Sequence, residues 1–573
     1  MNNELQTGLV PRVVSEWWRD LCARRADDVC VRGDDQNYSF ADIERRASAL
    51  ARGLLARGWG NGSHIGLLLH NGPEWIIGWL AIERIGAVAV TLSTLFAPPE
   101  LLQTLEHADV EVLLSTRRYL GHDYAQRIEE ALPELTGASG KDPLALAAAP
   151  SLRAIYFDSL AGREWSAGTF ADLEFLGNSA PGFSEILLRS VEERILPTDT
   201  AMLLYTSGST AMPKAVLHSQ QTIVSKIQAM AGMNCIIPAE VEPGDCLLIN
   251  NPLFWIGGFL ACFCGLENGG HVVFGTSLAP GQLWEDIDRY AVTHVSGGEA
   301  VLRSLQGHPS ARGRKIDTLL KPQNSGQLAY LRGAQGYDKA QIGNSIGMTE
   351  TFGPHTGPRS IAETRGALAG TWGWPLGGME HRIVDRETGA ACPLGRSGEL
   401  LVRGPWLMQG YYKNSDPELF DAQGFYHTGD LCVLDGAGRI DFLGRISGMI
   451  KTSGANVAPD EVEVALRRHP GVIEAVVLGV PDEARGELVV AVVAPALDAQ
   501  LDEVAIRAWL KNRISSFKIP RRVLFMTLED MPKTTSHKIH RPSLEQWARQ
   551  ALSPGEMLPA SRSNRLPRRQ NQT

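Results

Sequence analysis

An α/β fold with a β-rich middle segment and a separate small α+β domain at its C-terminal end is what this sequence predicts, on three observations. Short continuous apolar runs alternate with helical patterns through most of the chain, as in parallel sheets covered on both faces. Glycine and turn residues become denser in the middle third, where strand-like runs follow one another from Gly370 to Gly444. After Gly444 comes a compact mixed set of helices and strands, large enough for a domain of its own.

The elements follow in order. "FADIERRASALARGLLARG" places Ile43, Ala47, Leu50 and Leu54 at helical spacing and ends in Gly58. "HIGLLL" reads as a buried strand, "PEWIIGWLAIERIG" as a helix and "AVAVTL" as a strand; "PPELLQTLEHAD" and "VEVLL" repeat the pair. In the β-rich segment, "HRIVD", "GELLVRG", "LCVLD" and "RIDFLG" are strands joined by Gly and Asp turns. Beyond it, "EVEVALRRHPGV", "EAVVLGV", "LVVAVVAP", "DEVAIRAWLKNRI" and "RRVLFM" alternate again. The division expected is 1–444, 445–552 and a disordered tail 553–573.

At 573 residues the chain is too long for one core, and its 44% hydrophobic and 21% charged residues are those of a soluble globular protein. A net charge of −9 argues against general affinity for nucleic acid or anionic membrane. The tail "RSNRLPRRQNQT", with Arg562, Arg565, Arg568 and Arg569, is the local exception. No secretory pattern opens the chain. The longest apolar stretch, "FWIGGFLACFCGL" (Phe254–Leu266), is too short and too rich in glycine to span a membrane. Eight cysteines in such a length make no disulfide scaffold, and Cys262 and Cys264 read as buried thiols in a reducing cytoplasm.

"YTSGSTAMPKA" (Tyr205–Ala215) sets small hydrogen-bonding residues before a lysine. Thr206, Ser207, Gly208, Ser209 and Thr210 can turn hydroxyls and backbone N–H groups onto one anion, and Lys214 adds a charge. The order is not the Walker pattern, and alone the loop also fits a solvated turn. "IGMTET" (Ile346–Thr351) sets Glu350 beside Thr349, a hard-oxygen pair suited to Mg²⁺. "YHTGDL" offers Asp430 in a turn, where a carboxylate can accept both hydroxyls of a ribose. "GRISGMIKTSGANVAPDEVE" opens with Arg445, and "MPKTTSHKIHR" carries Lys538 in an exposed polar loop. Each also has a plain reading, as helix-start acid, turn former or surface charge.

Together and in this order, these stretches resemble the adenylate-forming superfamily: acyl-CoA synthetases, aryl-CoA ligases, peptide-synthetase adenylation domains and firefly luciferase. The resemblance runs from about residue 35 to 545. It implies two α/β subdomains and a β-rich subdomain in the large part, with a mobile lid behind it. The implied chemistry is attack of a carboxylate on ATP to give acyl-AMP, then transfer of the acyl group to a thiol, most simply coenzyme A. The ATP site would comprise Thr206–Thr210, Lys214, Ile346, Gly347, Met348, Thr349, Asp430, Arg445 and Lys538, with Mg²⁺ on Glu350. Thr206, Glu350, Lys451 and Lys538 would be catalytic, Lys538 in adenylation and Lys451 with Gly454 at the thiol. His218, Phe254, Trp255, Gly257 and Gly298 would line the acyl pocket. Apolar segments with paired glycines there suggest a hydrophobic acid. Loading of a carrier protein, or ATP binding without turnover, are the alternatives, and a homodimer is left open.

The chain departs from the family pattern in several places. Ala211 and Ala215 replace glycines of the phosphate loop, tolerable where φ is negative. Ile346 replaces a tyrosine expected against adenine, and "QNSGQL" (Gln323–Leu328) only faintly resembles the adenine loop. Trp255 stands where many relatives have histidine, and either gates the acyl site or fills the core. Ser447-Gly448 replaces an acidic hinge pair, and His537 a glycine before Lys538.

Overall fold

The computed structural model describes residues 12–33, 36–206, 214–233, 241–275, 277, 279–296, 305, 308–311, 345–357, 372–385, 388–414, 416–446, 449–457, 459–496, 499–532, 539 and 541–552, with backbone alone at 443–445, 460 and 542. The described residues form two compact units, the first comprising those up to 446 and the second those from 449 onward.

Among the described residues the first unit is built on three sheets of four or more strands, as the alternating and then β-rich patterns imply. The largest has eight strands. Its parallel core, in spatial order, is Thr200–Thr206, Val88–Thr91, His64–Leu68, Val112–Ser115, Ala154–Phe157 and Gly168–Thr169. The central members are buried along their whole length, which is why they read as unbroken apolar runs rather than alternating ones. Helix Pro73–Arg84 lies between two of them in sequence and is buried nearly all round, with Trp75 and Trp79 inaccessible. Helix Phe40–Ala56 starts where predicted. Ser39 caps it by accepting from the Asp42 N–H at 3.0 Å, while Asp42 accepts in return from the Ser39 N–H at 3.1 Å.

A five-stranded sheet follows, ordered His294–Ser296, Cys246–Ile249, His271–Phe274, Val29–Arg32 and Tyr38–Ser39, parallel except for its last pair. The apolar stretch that is too short for a membrane becomes helix Ile256–Glu267, buried at every position from Gly258 to Leu266. Among the described residues no helix is long and apolar enough to cross a membrane. The β-rich segment is a four-stranded antiparallel sheet of Glu380–Val384, Ser397–Arg403, Tyr426–Leu434 and Ile440–Arg445. The seven described cysteines are free, and all but Cys392 are buried.

The second unit wraps helices Pro459–Arg467, Glu503–Leu510 and Arg541–Leu552 around five strands. Its centre is the long antiparallel pair Val472–Asp482 and Gly486–Pro495, with Arg522–Phe525 added in parallel. Valines and alanines on alternate positions face two separate clusters, one on each side of this sheet.

Candidate active site

Strand Thr200–Thr206 leaves the core of the large sheet and returns antiparallel as Lys214–Ser219. The register sets Thr206 directly opposite Lys214, so the ends of the hydroxyl-rich loop are tied by backbone pairing. Ser207, Gly208, Ser209 and Thr210 lie outside the described residues. Ala215, one of the two glycine replacements, pairs with Tyr205 inside the strand and has no positive φ, so its methyl carries no backbone penalty.

The returning strand gains a neighbour from far along the chain. Gly410–Tyr411 pairs with it, Val216 opposite Tyr411 and Leu217 opposite Gly410. Flanking bonds from Gln409 N–H to Leu217 O (2.9 Å) and Tyr412 N–H to Ala215 O (2.8 Å) lengthen the contact. The Lys214 ammonium therefore sits 4.6 Å from the centre of the Tyr411 ring. The Tyr411 hydroxyl donates to Glu350 Oε1 at 2.8 Å and lies 2.9 Å from the Tyr426 hydroxyl. Burial, reinforced by the Glu350 charge, holds the Tyr411 phenol well above the ordinary tyrosine range, so it remains a donor.

Glu350 stands at the tip of a tight hairpin. Gly347–Met348 pairs with Gly353–Pro354, and a side chain at Gly347 would meet Pro354 N at 2.7 Å. Phe352 takes the left-handed conformation at φ 48°, unusual for so large a residue, and is fully buried against His218 and Phe259. Two further bonds fix the tip: Met408 N–H donates to Glu350 O at 2.8 Å, and His218 Nε2–H to Thr349 O at 2.7 Å. Burial drives the His218 imidazole down to about 3, so it is neutral at physiological pH. His218, expected at the acyl pocket, braces the hairpin that carries Glu350. Behind it, fully buried Lys226 donates to Pro354 O and lies 3.7 Å from the Trp406 ring centre. His355 Nδ1 lies 3.0 Å from His381 Nε2.

Glu350 is half-buried; one oxygen accepts from Tyr411, and among the described residues the other makes no hydrogen bond. A hard carboxylate oxygen with an open side fits a divalent cation whose remaining ligands are phosphate and water. Ile346 is 6% exposed within the main core, whereas Gly347 is exposed. The sequence places Asp430 in a turn. It is in fact buried within strand Tyr426–Leu434, and the turn-like signal of "HTGD" is a bulge in which Gly429 has φ 70°. The register sets Asp430 opposite Arg445 on the next strand.

Phe254 is buried, Trp255 is half-buried and Gly257 is exposed where the buried helix Ile256–Glu267 begins. The two aromatic rings meet edge-on at 5.6 Å. In the second unit, "IKTSGANV" is a hairpin rather than a loop. Ile450–Thr452 pairs with Ala455–Val457, Ser453 and Gly454 turn with positive φ, and Lys451 is exposed. Gly298 and Lys538 lie outside the described residues.

Sequence reasoning missed Tyr411 and Lys226, and took in Tyr426 only as the first residue of "YHTGDL". Tyr411 left one weak signal, a Gly-Tyr-Tyr-Lys run after a strand; Lys226 left none.

Lys214 and Glu350 thus meet on Tyr411, beside Thr206 and Lys214, the two ends of a stretch rich in hydroxyls and glycine. The AMP-binding enzyme family matches residues 18–412, its C-terminal domain matches 461–538, and the chain belongs to that family. A CoA ligase of Mycobacterium tuberculosis, named for a 7a-methyl-1,5-dioxo-octahydro-1H-inden-4-yl propanoyl group, is 28% identical over 95% of this chain and 100% of its own. A sulfoacetate–CoA ligase of Cupriavidus necator is 28% identical over 88% of this chain and 92% of its own. The solved structure of the amide bond synthetase McbA from Marinactinospora thermotolerans superposes with a TM-score of 0.74 at 25% identity, covering 93% of this chain and 99% of that one.

Proposed function

We propose that this enzyme is an ATP-dependent acid–CoA ligase that forms an acyl-AMP, releases pyrophosphate, and passes the acyl group to coenzyme A with release of AMP. The observation that carries this reading is the meeting of Lys214 and Glu350 on Tyr411, beside the ends of the Thr206–Lys214 loop. CoA-ligase relatives aligned over nearly the whole chain support the acid and thiol halves.

In the first half-reaction the loop hydroxyls and Lys214 bind the β- and γ-phosphates, and Asp430 holds the ribose. Glu350 would hold Mg²⁺, which would supply positive charge to offset that of the phosphates. Lys538 bridges the attacking carboxylate and the α-phosphate, placing a cation where negative charge accumulates. In the second half-reaction Lys451 and the backbone near Gly454 receive the thiol, so the two lysines of the small unit serve successive steps. Phe254, Trp255 and Gly257 bound the acyl site, which suits a hydrophobic acid; a ring-bearing propanoyl group on one relative agrees with that class.

Exchange of labelled pyrophosphate into ATP, run over a panel of aliphatic, aromatic and alicyclic acids without CoA, tests the reading. Acid-dependent exchange is expected, strongest with an apolar acid. Exchange with no acid in the panel would leave ATP binding without turnover. Exchange followed by transfer only to an amine, or only to a carrier protein, would replace CoA as acceptor; likeness to an amide bond synthetase makes the amine worth including.

A further inference from the structure

We infer that Tyr411 is a positioning residue for the nucleotide: it holds the Glu350 carboxylate through its hydroxyl and the Lys214 ammonium over its ring. The inference rests on the reading of Glu350 as the carboxylate facing the metal and deepens it.

The direction of the hydrogen bonds carries the argument. A phenol has one proton, and the Tyr411 hydroxyl gives it to Glu350 Oε1 at 2.8 Å. The 2.9 Å contact with Tyr426 must then run the other way, with the Tyr426 hydroxyl donating to Tyr411 oxygen. This chain of donors orients one oxygen of Glu350 and leaves the other for a cation. A hydrogen bond to an ionised acceptor is stronger than a neutral one, so the carboxylate is held rather than merely satisfied.

Tyr411 is itself fixed from several sides. It is 5% exposed, although Lys214 and Glu350, the two charged groups it touches, are half-buried. Its strand is locked to Lys214–Ser219 by the pairing of Val216 with Tyr411, which places the ring beneath Lys214. The next residue faces away and pins the strand to the opposite surface. Tyr412 donates to Asp109 Oδ2 at 2.7 Å, and Lys413 pairs with the same oxygen at 2.7 Å. On the near side, Met408 N–H donates to Glu350 O. Trp406 packs on Lys226, which donates to Pro354 at the far end of the Glu350 hairpin. The segment from Trp406 to Lys413 is thus a splint between the phosphate-loop lysine and the metal-side hairpin. A tyrosine filling the core alone could satisfy its hydroxyl on any backbone carbonyl; this one spends it on the carboxylate.

The test uses the full-length protein and two variants of one residue. Tyr411→Phe keeps the ring under Lys214 and removes the donor. Calorimetric affinity for ATP should then stay within about two-fold without metal, while the gain in affinity from added Mg²⁺ falls roughly 10–100-fold, the range expected for one bond to a charged group. Tyr411→Leu removes the ring as well and should weaken metal-free ATP binding too. In a Glu350→Gln background, Tyr411→Phe should have no further effect on the Mg²⁺ gain, and a thermal midpoint on each protein reports folding. If Tyr411→Phe leaves the Mg²⁺ gain intact while Glu350→Gln abolishes it, Tyr411 does not position the carboxylate. An equal loss in both backgrounds, tracking a lowered midpoint, would make it a structural residue and overturn the inference. If Glu350→Gln itself leaves the Mg²⁺ gain unchanged, the reading of Glu350 falls, and this inference with it.

Discussion

His218 and Thr349, 131 residues apart, are joined by a 2.7 Å hydrogen bond from imidazole Nε2–H to backbone carbonyl, and the imidazole is fully buried. The bond ties strand Lys214–Ser219 to the hairpin that carries Glu350. It also requires a neutral ring with its proton on Nε2, because the second nitrogen has no partner among the described residues. A histidine at this place acts as a strut, and its titration is a matter of stability.

Stability should therefore rise with pH between about 4 and 6.5. Burial lowers His218 and His381 to about 3 and pushes His355 down as well, with the Lys226 charge adding to the effect at His218 and His355. In that window the unfolded chain takes up protons at these positions and the folded chain does not. Stability is lost as pH falls, by about 1.4 kcal/mol per pH unit for each such histidine. Thermal midpoints at pH 5 and pH 7 check this: the pH 7 value should be the higher, and His218→Gln should reduce the difference. A midpoint independent of pH would show that the imidazoles are accessible to water.

Trp255 is half-buried, and two residues further on Gly257 is exposed; among the described residues outside its own helix, the nearest atom to the position a Cβ would take there is Asn251 Nδ2 at 3.9 Å. That placement favours a wall of the acyl site over a core filler. Trp255→Ala should cost well under the roughly 3–5 kcal/mol of a fully buried tryptophan. It should also shift kcat/KM toward bulkier acids by about 1–3 kcal/mol. An unchanged ranking on a strongly destabilised protein would return Trp255 to the core.

The two lysines of the small unit should separate the half-reactions. Lys538→Ala is expected to cut acyl-AMP formation on the order of 10²–10³-fold while sparing thioester formation from supplied acyl-AMP. Lys451→Ala, on the exposed face of its hairpin, should slow chiefly the second step. Equal loss of both half-reactions in either variant would refute the division of labour.

The strands of the large sheet were legible because burial on both faces leaves an unbroken apolar run, as in Val88–Thr91 and Val112–Ser115. Glu350 and Lys214 were legible because each sits in a dense local motif. Tyr411 was not: it lies 61 residues from Glu350 and pairs with Val216 only through the sheet's edge, so nothing near it in sequence announces its role. The setting of Asp430 was hidden for a related reason. A glycine beside an aspartate signals a turn, and a bulge inside a strand uses the same residues.

Acid-dependent stoichiometry tests the proposed ligase activity most directly. With ATP, Mg²⁺, CoA and the best acid from the panel, AMP released, pyrophosphate released and free thiol consumed should be equal within error, and Glu350→Gln should suppress all three together. AMP and pyrophosphate formed without loss of thiol, or ADP in place of AMP, would contradict it.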